Sequence, residues 1–144
     1  MNEETSRDIK VLARMRSNIL FISERPEDAR RLTHMLRALP LELNHVDSLR
    51  QARAKLRDDE FELIFTEAHL PDGNWLDVLH LARDCPRDLQ VVVTDATADA
   101  RFWAEALNLG AYDLITQPFY EPEVRRILSN ACSRPVEERH PVAV

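Results

Sequence analysis

The sequence specifies an α/β domain in which a layer of five parallel strands lies between two layers of helix. Three observations lead there. Short apolar runs of buried-strand length recur, at Ile19–Ile22, Leu63–Phe65 and Leu89–Val93. Each is followed by a segment whose apolar residues fall at helical spacing. The regular alternation of the two kinds of segment gives a parallel sheet with right-handed crossovers and helices on both faces.

Taken in order, Ile19-Leu20-Phe21-Ile22 is a continuous apolar run, which suits an interior strand buried on both sides. Ser23-Glu24-Arg25-Pro26 ends it. Ala29, Leu32, Leu36 and Leu39 then share one helical face, and Pro40 stops the helix. Leu41, Leu43 and His45 alternate with Glu42 and Asn44, the pattern of a half-exposed edge strand running to Val46. Ser48 with Gln51 forms a capping-box signature. The helix behind it carries Leu49, Ala52 and Leu56 inward and Arg50, Arg53, Lys55 and Arg57 as a solvated face. Phe61–Gly73 holds the third strand, an acidic residue at its end (Glu67), and a loop with Pro71 and Asp72-Gly73.

A helix from Trp75 to Cys85 closes at Pro86. Leu89–Val93 is the fourth strand. Thr97 or Asp99 caps the helix bearing Phe102, Trp103, Ala106 and Leu107, and Gly110 suits its C-terminal turn. Phe102 and Trp103 are adjacent, so one faces the core and the other, with Tyr112 and Tyr120, is a candidate exposed aromatic patch. Tyr112–Ile115 is the fifth strand. Gln117-Pro118-Phe119 turns, and Pro122 suits the first position of a last helix bearing Val124, Ile127, Leu128 and Ala131. Residues 1–17 read as a polar extension, with Ile9, Leu12 and Ala13 as an alternative partner-helix face. Residues 18–133 are the domain, and 134–144 form a tail without periodicity.

A net charge of -6 argues against a nucleic-acid surface. No apolar run reaches membrane-span length, and the charged N-terminus lacks a signal-peptide core, so the expected location is cytoplasmic. Cys85 and Cys132 are too few and too far apart for a disulfide framework or zinc site, and are expected to be structural thiols.

A parallel sheet gathers the carboxyl ends of its strands at one edge, where such folds place their sites. Ser23, Glu24, Glu67, Asp95 and Gln117 all fall at strand ends. His69 lies two residues beyond Glu67 and is expected to be a solvated loop histidine in the absence of a second ligand at metal spacing.

Four blocks, ILFISERPED, FELIFTEAHLPDG, VVVTDA and GAYDLITQPF, in this order and spacing resemble the receiver domains of response regulators. The resemblance implies a flavodoxin-like three-layer fold and a signalling role in a two-component phosphorelay. It also implies site positions, and most of them are altered. The phosphoacceptor position is Glu67. The acidic pair that holds magnesium becomes Ser23 and Glu24. The switch hydroxyl becomes Asp95, the phosphate-binding lysine becomes Gln117, and the aromatic switch residue becomes Leu114.

These changes act in one direction. Phosphoryl transfer needs an in-line geometry, a bridging metal and fixed positive charge. Glu24 and Glu67 are the carboxylates left to hold a cation, and Ser23 supplies none. The extra methylene of glutamate displaces the acceptor, and an error of about 1 Å can cost on the order of a hundredfold in rate. Asp95 adds repulsion of roughly 4 kcal/mol at ~4 Å and an effective dielectric near 20. Gln117 offers a hydrogen bond without charge.

The expected function is therefore a pseudo-receiver. It acts through contact with another signalling protein (a kinase, an output domain, a second receiver or a second copy of itself), on the face of the fourth helix, fifth strand and fifth helix. It is expected to be neither an enzyme nor dependent on a cofactor. Two alternatives stay open: a receiver still phosphorylated by a histidine kinase with magnesium on Glu24 and Glu67, and a flavodoxin-like module for a small ligand. Proximity of Glu24, Glu67 and Asp95 predicts a raised carboxyl pKa by like-charge repulsion.

Overall fold

The computed structural model describes residues 16–87 and 89–132. Five strands form one parallel sheet: β1 (Ser17–Ile22), β2 (Leu41–Val46), β3 (Leu63–Glu67), β4 (Gln90–Asp95) and β5 (Asp113–Thr116), in the order β2-β1-β3-β4-β5. Between and after them run α1 (Pro26–Met35), α2 (Leu49–Asp58), α3 (Trp75–Asp84), α4 (Ala100–Asn108) and α5 (Glu121–Cys132).

The continuous apolar runs are explained by burial on both faces. Leu20, Ile22, Ile64, Val91 and Val93 face α2, α3 and α4. Their strand neighbours Ile19, Phe21, Leu63, Phe65 and Val92 face α1 and α5. Full burial of a side chain such as Phe65 contributes about 1.5–3 kcal/mol. β2, at the edge, is half-exposed as expected, but its alternation holds only from Leu41 to Leu43: Asn44 is partly buried and His45 is exposed.

Several boundaries differ from expectation for identifiable reasons. β1 begins at Ser17 because two polar residues, Ser17 and Asn18, still pair with Leu41 and Glu42. α1 stops at Met35, four residues before Leu39, and the chain reaches Pro40 through Ala38 at φ 65. β4 runs through Thr94 and Asp95, which pair with Ile115 and Thr116, while β5 starts at Asp113 instead of Tyr112. The loop after β3 contains a short antiparallel pairing, His69–Leu70 with Gly73–Asn74, too short to leave a sequence period. Gly73 is needed there for space, since a Cβ would lie 2.7 Å from Asp77 Oδ2 and 3.0 Å from Leu49 Cδ2. Pro122 sits second in α5, behind Glu121.

Ser48 Oγ accepts from Gln51 N as expected, but the Gln51 side chain accepts from Asp47 N, one residue short of a complete box. The complete capping box is instead Asn74 with Asp77, at the start of α3. Asp99, not Thr97, caps α4, its Oδ1 accepting from Phe102 N at 2.8 Å. The Ile9–Ala13 segment and the tail lie outside the described residues.

Candidate functional site

The register of the sheet brings the ends of β1, β3, β4 and the β5–α5 loop to one edge. Ile22 pairs with Thr66, Glu67 with Thr94, and Asp95 with Thr116. A cavity of about 190 Å³ opens there, lined by Glu67, Asp95 and Gln117 with Arg25, His69 and Thr94 among others. Three of the strand-end candidates thus meet.

Ser23 lies beneath, fully buried, and its Oγ donates a hydrogen bond to Glu67 Oε1 at 2.9 Å. That hydroxyl also accepts from Arg25 N at 3.0 Å, so the turn after β1 fixes its direction. The Ser23 carbonyl lies 2.7 Å from His45 Nε2 on β2. Glu24 is exposed and does not line the cavity. Leu114 is separate from the site, packed into the core on the α4 side.

Asp95 is occupied by its own loop: Oδ1 accepts from Thr97 N at 3.1 Å and from Thr97 Oγ1 at 3.2 Å. Its Oδ2 stands 3.8 Å from His69 Nε2, and His69 stays largely in solvent, as a loop histidine would. Gln117 Nε2 donates to Thr94 Oγ1 at 3.2 Å. Beside these, the loop between β1 and α1 supplies the cation of the cavity, Arg25.

Glu67 has its pKa raised. Partial burial is the largest cause; the Ser23 hydrogen bond and the charge of Arg25 oppose it, and the carboxylates of Asp28 and Glu24 add to it. The expected cause is therefore corrected. Desolvation leads, like-charge repulsion is secondary, and Asp28 rather than Asp95 is the principal neighbour. Asp28 and Arg25 escaped the sequence reading because it followed strand ends, whereas the first turn of α1 and the residue before it also face this edge.

The residues do not fit a magnesium ion. Ser23 has no carboxylate and spends its hydroxyl hydrogen on Glu67, and Glu24 is exposed and does not line the cavity. Among the described residues no group of three or more His, Cys, Asp or Glu side chains is placed to hold a metal.

A five-stranded parallel sheet in this order between two helix layers is a flavodoxin-like scaffold, and acidic and amide groups gather at its carboxyl edge. The profile of the response regulator receiver domain matches residues 19–129, and the chain belongs to that family, the receiver domains of two-component response regulators. It is 33% identical over 115 residues to the transcriptional regulatory protein KdpE of Staphylococcus aureus, covering 77% of this chain and 48% of KdpE. It is 26% identical over 129 residues to the response regulator protein PilR of Pseudomonas aeruginosa, covering 88% of this chain and 29% of PilR. The chain thus spans less than half the length of these relatives.

In fold it superposes on the receiver domain of a Luxo repressor protein from Vibrio parahaemolyticus with a TM-score of 0.76 at 19% identity, covering 83% of this chain and 92% of that one. The beryllofluoride-activated NtrC4 receiver dimer gives 0.74 at 20% identity, covering 85% and 98%. Among the described residues no helix is long and apolar enough to cross a membrane.

Proposed function

We propose that this receiver passes signals by protein contact, without an aspartyl-phosphate cycle and without catalysis of its own. The observation that carries the reading is the 2.9 Å hydrogen bond from Ser23 Oγ to Glu67 Oε1. It commits one oxygen of the acceptor-position carboxylate to a protein donor, in a pocket with Gln117 in place of a lysine. A phosphoryl group arriving there would meet Asp95, with Arg25 the one Arg or Lys among the described residues that line the cavity.

The contact surface in this reading is the face of α4, β5 and α5. Trp103 is 47% exposed and Tyr120 66% exposed, the highest values among the large hydrophobic side chains of the described residues, and Leu109 just after α4 is exposed too. Phe102 takes the inward role beside Trp75, and Tyr112 is half-buried. The partner is another signalling protein or a second copy of this chain, met in the cytoplasm. The solved NtrC4 receiver is a dimer, which supports pairing between receivers as one form of this contact.

The test is tryptophan fluorescence with magnesium, then magnesium and beryllium fluoride, with intact mass after acetyl phosphate. Trp75 is a suitable reporter, since its backbone N–H donates to the carbonyl of Ala68, next to Glu67. No saturable change and no mass gain are expected in folded protein. A saturable response, or the gain of one phosphate, overturns the reading.

A further inference from the structure

Asp28, in the first turn of α1, is 94% buried by its 6% exposure, and its Oδ2 has no hydrogen-bond partner. A buried carboxylate without a donor is costly, and folded proteins seldom leave one. The same side chain lines a cavity of about 250 Å³, next to the one that holds Glu67, together with Arg25, Arg31, Gln117 and Phe119. One water, with about 30 Å³ of liquid volume, would serve the oxygen, and this space is several times larger. The ion pairs among the described residues include neither Arg25 nor Arg31.

The cavity therefore presents two unlike demands within one small volume. A carboxylate asks for a cationic donor, and two guanidiniums ask for an anion that can accept paired hydrogen bonds. A simple cation would be repelled by the arginines, and a simple anion by Asp28. A ligand that carries an ammonium and a carboxylate on one and the same carbon satisfies both. We propose that this cavity binds a free α-amino acid, its ammonium on Asp28, its carboxylate on Arg25 and Arg31, and its side chain towards Phe119. The site is separate from the phosphoacceptor position and stands or falls independently of the function proposed above. Because Arg25 and Gln117 line both cavities, occupancy would be felt at the strand-end edge.

The experiment is amide-resolved NMR titration of the full chain with the common L-amino acids one at a time. Propionate and ethylamine, each carrying one half of the recognised pair, are run at equal concentration and ionic strength. At least one amino acid is expected to saturate shifts at Asp28, Arg31 and Gln117 at or below about 10 mM, a weak affinity of roughly 3 kcal/mol or more. Propionate and ethylamine should bind at least tenfold more weakly. Asp28→Asn and Arg31→Gln should each weaken binding at least tenfold. If Asp28→Asn does not fold, Arg31→Gln, at an exposed position, and the two half-ligands decide the matter. Failure of every amino acid to saturate overturns the proposal. So does propionate or ethylamine binding as well as the amino acid, or wild-type affinity in either folded variant.

Discussion

Gln117 donates its side-chain amide to the hydroxyl of Thr94 at 3.2 Å, tying the loop after β5 to the last residues of β4 through neutral groups alone. A lysine at this position would bring charge into the cavity that holds Glu67 and Asp95. Gln117→Lys is expected to lower the pKa of Glu67, read by carboxyl NMR, with a gain in stability of at most about 1 kcal/mol because the pair is partly solvated. On the reading proposed above, this variant should still show no saturable magnesium response, since the Ser23 hydroxyl still donates to Glu67. Adding Ser23→Asp and Glu67→Asp should produce a saturable magnesium response at Trp75, at least tenfold stronger than in Gln117→Lys alone. Its absence would show that more than these side chains blocks the ion.

The raised pKa of Glu67 sets a pH dependence with a definite sign. In the window between the ordinary value of 4.5 and the raised folded value, the native state binds more protons than the unfolded chain. Stability therefore falls as pH rises through that window, and the penalty is fully present above it. Glu67→Gln keeps an oxygen that accepts from Ser23 and removes the charge. The variant is expected to melt higher than wild type at neutral pH, with the difference closing as pH falls to about 4.5. A constant difference would rule out Glu67 as the titrating group. Ser23→Ala should act oppositely, costing about 1–3 kcal/mol at neutral pH by stripping the donor from a desolvated carboxylate.

Asp72, in the loop after β3, caps a helix from outside it. Its Oδ1 accepts from Leu49 N at 2.8 Å and its Oδ2 from Arg50 N at 2.9 Å, both at the start of α2. Burial, the largest single influence, acts to raise its pKa, but the backbone N–H groups of Leu49, Arg50 and Asp72 itself and the charge of Arg53 together outweigh it, so the value is lowered. The contribution is present above the ordinary value of 3.8 and lost as pH falls below it through the folded value. Asp72→Ala is expected to cost about 0.5–2 kcal/mol, the range for a lost helix cap. Asp72→Asn, which keeps one good acceptor, should cost less. Equal loss for both in chemical denaturation would contradict the capping role.

Trp103 donates its indole N–H to Asp113 Oδ1 at 3.0 Å, so an exposed ring on α4 is held in place by β5. Changing Trp103 and Tyr120 together to glutamate is expected to shift stability by no more than about 1 kcal/mol, as for surface positions. It should abolish self-association or partner capture at concentrations where wild type shows it. Retained association in analytical ultracentrifugation would move the contact to another face.

The strands and helices were legible because burial on both faces writes apolar runs, and amphipathic burial writes a helical period. Ile19–Ile22, Leu63–Phe65 and the α5 residues Val124 to Ala131 show this directly. The 69–74 pairing was not legible, since two residues per strand carry no period, and the Asn74–Asp77 box was hidden by the Asp72-Gly73 turn signal beside it. At the site, topology alone brought Glu67, Asp95 and Gln117 to one cavity. What strand-end logic cannot supply is direction. It could not say that Glu24 would turn outward, that Asp95 would fold back on Thr97, or that Arg25 and Asp28 would turn in.

The carboxylate of Asp72 has a mechanical meaning as well. The 68–77 segment is fastened to β4 by Ala68 N on the carbonyl of Thr94, folded on itself by Trp75 N on the carbonyl of Ala68, and fastened to α2 by Asp72. The amides of Leu49, Arg50, Ala68 and Trp75 are therefore expected to open as one unit. In hydrogen–deuterium exchange they should lose protection at one shared rate, and Asp72→Ala should split that rate in two.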